Sequence, residues 1–189
     1  MLLAITAIWL ALVWSPEEGW RFQGVEIGRA PSGGEFRLDS LQGPVKLSDF
    51  QGKVVLLYFG YTWCPDICPT SLAIMTTALR QLNEAELERI QALFVSVDPE
   101  RDNLERLATY AAYFHPKILG ITGSPTEVKK VAKRYGVSYR RAEERVQGRY
   151  SVDHSADTYL IDPFGKLHRT VPHGTPAGEV VALLRELLE

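Results

Sequence analysis

Apolar and polar residues alternate along this chain in two periods, and the switches between them mark the predicted elements. Val54 to Phe59 is an unbroken apolar run of strand length, and Ala92 to Val97 is a second one. Each reads as a strand buried on both faces. Leu72, Met75, Leu79 and Leu82 recur at helical spacing after the first run. Leu104, Leu107, Ala108, Ala111 and Phe114 do the same after the second, with Asp102 and Glu105 as a capping-box-like start. Ser124-Pro125-Thr126-Glu127 opens another helix, which Gly136 closes. Phe36 to Leu38 and Val45 to Leu47 alternate around Gly43-Pro44, predicting a small hairpin ahead of the main sheet. Val137 to Arg141 is a short extended piece, and Ala142 to Tyr150 reads as a polar surface loop. Thr158 to Ile161 and Leu167 to Val171 form a hairpin around Asp162-Pro163-Phe164-Gly165. A helix with Val180, Leu183, Leu184 and Leu187 ends the chain, with Thr175-Pro176 as its cap.

Residues 2–14 are apolar apart from Thr6 and carry no charge. That is short for a span of about 20 residues. We expect residues 1–15 to be a hydrophobic anchor or signal segment, 16–22 a linker, and 23–189 one folded domain. Trp9, Trp14 and Trp20 suit a membrane interface. Net charge is −2 and no basic run occurs, which gives no reason to expect nucleic acid.

The chemistry-bearing stretch is Gly60 to Thr70. It contains Cys64 and Cys68, the two cysteines of the chain. They fall four apart at the corner between the first buried strand and the helix after it. Residues four apart share a helix face, and a helix N-terminus favours thiolate. Such a pair can cycle between dithiol and disulfide, or grip a soft metal ion. The order strand, cysteine-bearing helix, second strand, then hairpin and closing helix predicts a thioredoxin-like α/β fold. In that plan the loop before the last hairpin lies beside the cysteines. Thioredoxins place a proline there; this chain has Asp153-His154-Ser155. His154 is therefore a candidate third ligand, or else a hydrogen-bonded loop residue. His115, His168 and His173 read as surface residues, and Met75 as core. Two thiolates and an imidazole suit copper better than zinc, which wants a fourth ligand.

Several segments resemble the SCO/SenC family of cytochrome c oxidase assembly proteins. They are Gly60-Tyr-Thr-Trp63-Cys64-Pro-Asp-Ile-Cys68-Pro69, Ser96-Val-Asp98-Pro-Glu-Arg-Asp102, Lys133 to Tyr139, Val152 to Ser155 and Tyr159 to Pro163. The resemblance runs collinearly over about residues 24–189. It implies one copper ion, Cu(I) or Cu(II), bound by Cys64, Cys68 and His154. The implied role is maturation of the dinuclear copper A centre of oxidase subunit II. Implied partners are that subunit's copper A domain, another copper chaperone or a thioredoxin-like reductant, and a membrane through the N-terminal segment. The implied location is the periplasmic face, outside the cytoplasm. Asp98, Asp153 and Trp63 are expected near the copper or on a partner surface; the family often has His at the Trp63 position. Two other readings use the same sulfurs. One is a thiol–disulfide oxidoreductase acting through Cys64 and Cys68 on subunit II. The other is a peroxiredoxin-like peroxidase, for which Thr62 is poorly spaced and an upstream proline is missing.

Overall fold

The structure is a computed structural model that describes residues 31–142 and 150–189. Its centre is β3 (Val54–Gly60), in which every residue is buried. A strand so apolar is stable only when covered on both faces, where each buried Val, Leu or Phe contributes about 1.5–3 kcal/mol. β4 (Ile90–Ser96) and β5 (Ile118–Ile121) continue the sheet in parallel on one side. β8 (Thr158–Ile161) and β9 (Leu167–Val171) complete it with antiparallel pairing on the other, in the order β5-β4-β3-β8-β9. The helices are α1 (Ile67–Arg80), α2 (Glu84–Glu88), α3 (Leu104–Phe114), α4 (Pro125–Arg134) and α5 (Ala177–Leu188). α1 packs on α5, and α3 packs along β5. This is the expected thioredoxin-like arrangement, a mixed sheet flanked by helices.

The N-terminal hairpin is β1 (Arg37–Ser40) with β2 (Gly43–Lys46). Paired backbone bonds between Asp39 and Thr122 fasten it to the end of β5. A second small ribbon, β6 (Tyr139–Arg141) with β7 (Val152–His154), brings His154 to the main sheet. His154 therefore lies on a short strand rather than in a loop.

Other differences have local causes. β5 and α2 escape a periodicity reading because each is only four or five residues long. The N-cap of α3 is Asn103, whose side chain accepts from Arg106 N; Asp102 faces inward instead. Thr175 donates to the Pro172 carbonyl and makes no cap bond to α5. His115 is buried rather than on the surface: its Nδ1 accepts from Lys117 N, and burial lowers its pKa. The α4 start is as expected, with Ser124 and Glu127 in a reciprocal capping box and Pro125 in the first turn.

The placement at the periplasmic face on a membrane tether is corrected. No helix among the described residues is long and apolar enough to cross a membrane. The longest, α1, has 14 residues, against about 20 for a span. The segments 1–15 and 16–22 lie outside the described residues, as do 143–149 of the expected surface loop.

Candidate metal centre

β3 ends at Gly60, and the chain then turns through Tyr61 to Asp66 into α1. Cys64 lies half-buried in this turn, and Cys68 is fully buried in the first turn of α1. Both are free thiols. The Cys68 backbone N–H points at Cys64 Sγ, 3.5 Å away. His154 approaches from β7 and sets Nε2 3.3 Å from Cys68 Sγ. One donor atom from each of Cys64, Cys68 and His154 lies within 4.8 Å of the others, the one such cluster among the described residues.

The imidazole is held in a usable orientation. His154 Nδ1 lies 2.9 Å from the Ser155 carbonyl, which can only accept, so Nδ1 carries the proton. Nε2 then keeps its lone pair toward the sulfurs. The rings of Tyr61 and Tyr58 stand edge-on to the imidazole at 5.8 and 6.4 Å. Tyr58 hydroxyl is buried without a hydrogen-bond partner, and burial raises its pKa, so it stays a neutral phenol.

The two sulfurs differ in character. The Cys68 thiol beside Cys64 lowers the Cys64 pKa to about 3, against the opposing effect of burial; the Asp66 and Cys68 N–H groups assist. The Cys68 pKa is raised, first by Cys64 and then by burial. Cys64 is thus the thiolate of the reduced pair and Cys68 the thiol. Because thiolate persists to low pH, alkylation of Cys64 by iodoacetamide should stay nearly constant from about pH 8 down to pH 5. An ordinary thiol of pKa about 8.5 would slow about tenfold per unit over that range. Peptide mapping should find the label on Cys64 and not on Cys68. A tenfold fall per unit would refute the assignment.

A cradle for a bound ion is visible in the backbone. A Cβ on Gly60 would sit 2.6 Å from Cys68 Sγ, closer than atoms pack. Glycine is therefore what lets the buried sulfur stand against the end of β3. The donor set, its convergence and this close approach fit a soft metal ion bound by two sulfurs and one nitrogen.

The remaining predicted residues divide. Asp98 is buried at the end of β4; its Oδ2 accepts from Arg101 Nε (2.5 Å) and its Oδ1 from Tyr150 hydroxyl (2.7 Å). Trp63 is 52% exposed, with the Arg106 guanidinium 4.2 Å from its ring centroid. Asp153 points away. Strand alternation puts it opposite Val152 and His154, and it pairs with Arg140 on the exposed side of the ribbon. Thr62 is committed to Asp102 through its N–H (2.9 Å) and hydroxyl (2.6 Å). Met75 is core, and His173 is exposed but engages Ser71 Oγ at 2.8 Å. Gly60, Tyr61, Arg101, Tyr150 and Asp102, the last read as a helix cap, were not expected at the site. Of these only Gly60 carried a usable signal, a glycine at the end of a buried strand.

A thioredoxin-like domain whose cysteine corner faces a histidine is the class that fold and site define. The SCO1/SenC family model matches residues 25–189, and the chain belongs to that family. It is 43% identical over 161 residues to the mitochondrial SCO2 homolog of Bos taurus, covering 83% of this chain and 60% of that protein. The chain spans roughly half to three fifths of the length of the first curated relatives it matches (60% and 46%). Among solved structures it resembles apo Sco1 from Thermus thermophilus at 45% identity and TM-score 0.77, covering 84% of this chain and 92% of that one. It also resembles Bradyrhizobium japonicum ScoI with copper bound, at 35% identity and TM-score 0.76, covering 83% and 99%.

Proposed function

We propose that this protein is a copper metallochaperone that serves assembly of the dinuclear copper A centre of cytochrome c oxidase subunit II. Cys64, Cys68 and His154 would hold one copper ion per chain as cargo. The observation that carries this reading is the convergence of two sulfurs and an imidazole nitrogen within 4.8 Å. Cu(I) accepts such soft two- or three-coordinate sets, and Cu(II) accepts nitrogen with sulfur. Structural zinc takes four ligands, and three are gathered among the described residues. The likeness to a copper-bound ScoI adds support. Cys64 is the accessible donor, so an incoming ligand reaches it first, while Cys68 and His154 retain the ion from beneath. Trp63, exposed beside Cys64, and Asp98, on the turn behind it, are the proposed partner-facing and supporting residues.

A second reading has its own observation: Cys64 is half-exposed and Cys68 buried beside it, with the Cys64 pKa lowered and the Cys68 pKa raised by the pairing. That is the division of labour of a dithiol reductant. The Cys64 thiolate would attack a client disulfide and release one client thiolate. Cys68 would then displace the second, leaving a Cys64–Cys68 disulfide and passing two electrons to the client. The client would be the copper-ligand cysteines of subunit II, whose thiols must be reduced before copper enters, and a thioredoxin-like reductant would restore the pair.

A mixing experiment with the soluble copper A domain of subunit II separates the two. Metal transfer and thiol reduction are followed independently, for wild type and His154→Ala. The expected result is that His154→Ala is impaired in transfer but keeps reduction of an oxidised client. Unimpaired transfer by His154→Ala would sink the three-ligand chaperone. Loss of reduction in the same variant would sink the two-cysteine reductant.

A further inference from the structure

We infer that the turn Asp98 to Asp102 is a bracket that sets the distance between His154 and the two thiols, and that Arg101 and Tyr150 are positioning residues for His154. This rests on the reading of Cys64, Cys68 and His154 as the metal donors. No atom of the turn belongs to the donor set, yet its two ends hold the two halves of the site.

One end holds the cysteine corner. Asp102 is fully buried, and its carboxylate accepts from Thr62 N, Thr62 Oγ1 and Ser96 Oγ at 2.9, 2.6 and 2.7 Å. Thr62 lies two residues before Cys64, so the start of the loop is pinned to the end of β4. The other end holds the histidine ribbon. Arg101 Nη1 donates to the Tyr150 carbonyl (2.9 Å), while Tyr150 hydroxyl donates back to Asp98 (2.7 Å). The Tyr150 ring lies 3.5 Å from the guanidiniums of both Arg101 and Arg141, which must occupy opposite faces. Arg141 is paired with Val152 across the ribbon and also reaches Glu100 at 3.6 Å. Val152 N donates to Tyr61 hydroxyl (3.2 Å), and the Tyr61 ring meets both the His154 ring and the Arg101 guanidinium.

Packing alone would not select this arrangement. Arg101 Nη2 is buried without a partner, which costs stability. Lysine could not replace Arg101, because one ammonium cannot hold the Asp98 carboxylate, the Tyr150 carbonyl and the ring face in a fixed plane. Two carboxylates four residues apart on one rigid turn thus grip segments about ninety residues apart in sequence. Groups that orient metal ligands in this way typically change affinity 10–100-fold when removed.

The test uses Tyr150→Phe, which removes one hydroxyl from a half-buried ring, with Arg101→Lys as a second variant. Cu(I) affinity is measured by chelator competition in the wild-type and His154→Ala backgrounds. Tyr150→Phe should weaken Cu(I) binding about tenfold in the first background and by less than about twofold in the second, because it acts through the histidine. In the metal-free reduced protein, long-range proton–nitrogen NMR should show the His154 ring nitrogens shifting in Tyr150→Phe and Arg101→Lys. An equal affinity loss in both backgrounds, or unchanged affinity together with unchanged ring shifts, overturns the bracket. If the wild type itself binds no Cu(I), the metallochaperone reading fails, and the ring shifts alone decide whether the turn positions His154.

Discussion

Cys68→Ser, reduced and metal-free, should fold as the wild type does and bind Cu(I) at least about 100-fold more weakly, beyond the upper range for loss of a supporting group. Serine is close in size to cysteine, so the buried position at the start of α1 is filled without a new cavity. A hydroxyl oxygen is a hard donor, however, and Cu(I) selects thiolate. Among the described residues the site has no spare soft donor nearby: Met75, the sulfur residue about two turns along α1, is packed in the core. Cys64→Ser should weaken binding to a similar extent. His154→Ala should weaken it less, because two sulfurs still suffice for linear Cu(I), and should chiefly lose the Cu(II) form, which prefers nitrogen. Chelator competition for Cu(I) and visible absorption for Cu(II) report these separately. A Cys68→Ser protein with wild-type Cu(I) affinity would remove the buried sulfur from the donor set.

Gly60→Ala should be nearly as severe for metal binding, although residue 60 offers no ligand atom. The added methyl would lie 2.6 Å from Cys68 Sγ, 3.0 Å from the Phe94 ring and 3.1 Å from the Tyr58 ring. The backbone cannot retreat, because the Gly60 carbonyl accepts from Val97 N at 2.8 Å and the residue is paired with Ser96 in the sheet. Tyr58 and Phe94 are stacked on one another and fully buried. The sulfur is therefore what must move, which disturbs its 3.3 Å approach to His154 Nε2. The expected cost is about 1–3 kcal/mol in stability, as for other overpacked cores, and at least about tenfold in Cu(I) affinity. Gly120→Ala is the control. Its methyl would lie 2.6 Å from the Leu107 carbonyl, on a strand separated from β3 by β4 and with no sulfur against it, so it should lower stability and leave the affinity of the folded protein unchanged. Equal affinity in wild type and Gly60→Ala would show that the close approach of backbone to sulfur is incidental.

The mechanistic contrast between the two sulfurs follows from where each sits. Both belong to one five-residue stretch, but the turn leaves Cys64 half-exposed while the first turn of α1 carries Cys68 under the sheet end. A partner can reach only the first directly. The same asymmetry serves metal hand-over and disulfide exchange, which is why the two proposed activities share a site and need His154→Ala to separate them.

How much was legible depends on how far apart in sequence the interacting groups lie. Val54–Phe59 was readable because a strand buried on both faces needs apolar residues throughout, and the α4 start because its cap and its Glu lie three residues apart. Cys64 and Cys68 were readable for the same reason: helical geometry alone brings residues four apart to one face. His154 needed the order of elements as well, since its approach depends on which strands neighbour β3. Asp102 shows the limit. As a helix-capping type before Leu104 it matched a local pattern, yet Asn103 took the cap, and Asp102 turned inward to hold Thr62 forty residues earlier. The relation of Tyr150 to Asp98 and Arg101 was not readable, because those contacts form only when the β6–β7 ribbon folds back over the turn after β4.

The sequence by itself therefore determined the layered α/β plan and the paired cysteines through short-range periodicity, spacing and element order, and the family, with His154 as third donor, through the resemblance of its motifs. Only the tertiary structure decided the rest: which sulfur is exposed, which imidazole nitrogen faces the sulfurs, why residue 60 is glycine, and what holds the two halves of the site together. These depend on distances between segments that the chain brings together by burying its sheet, and no local pattern encodes a distance across ninety residues.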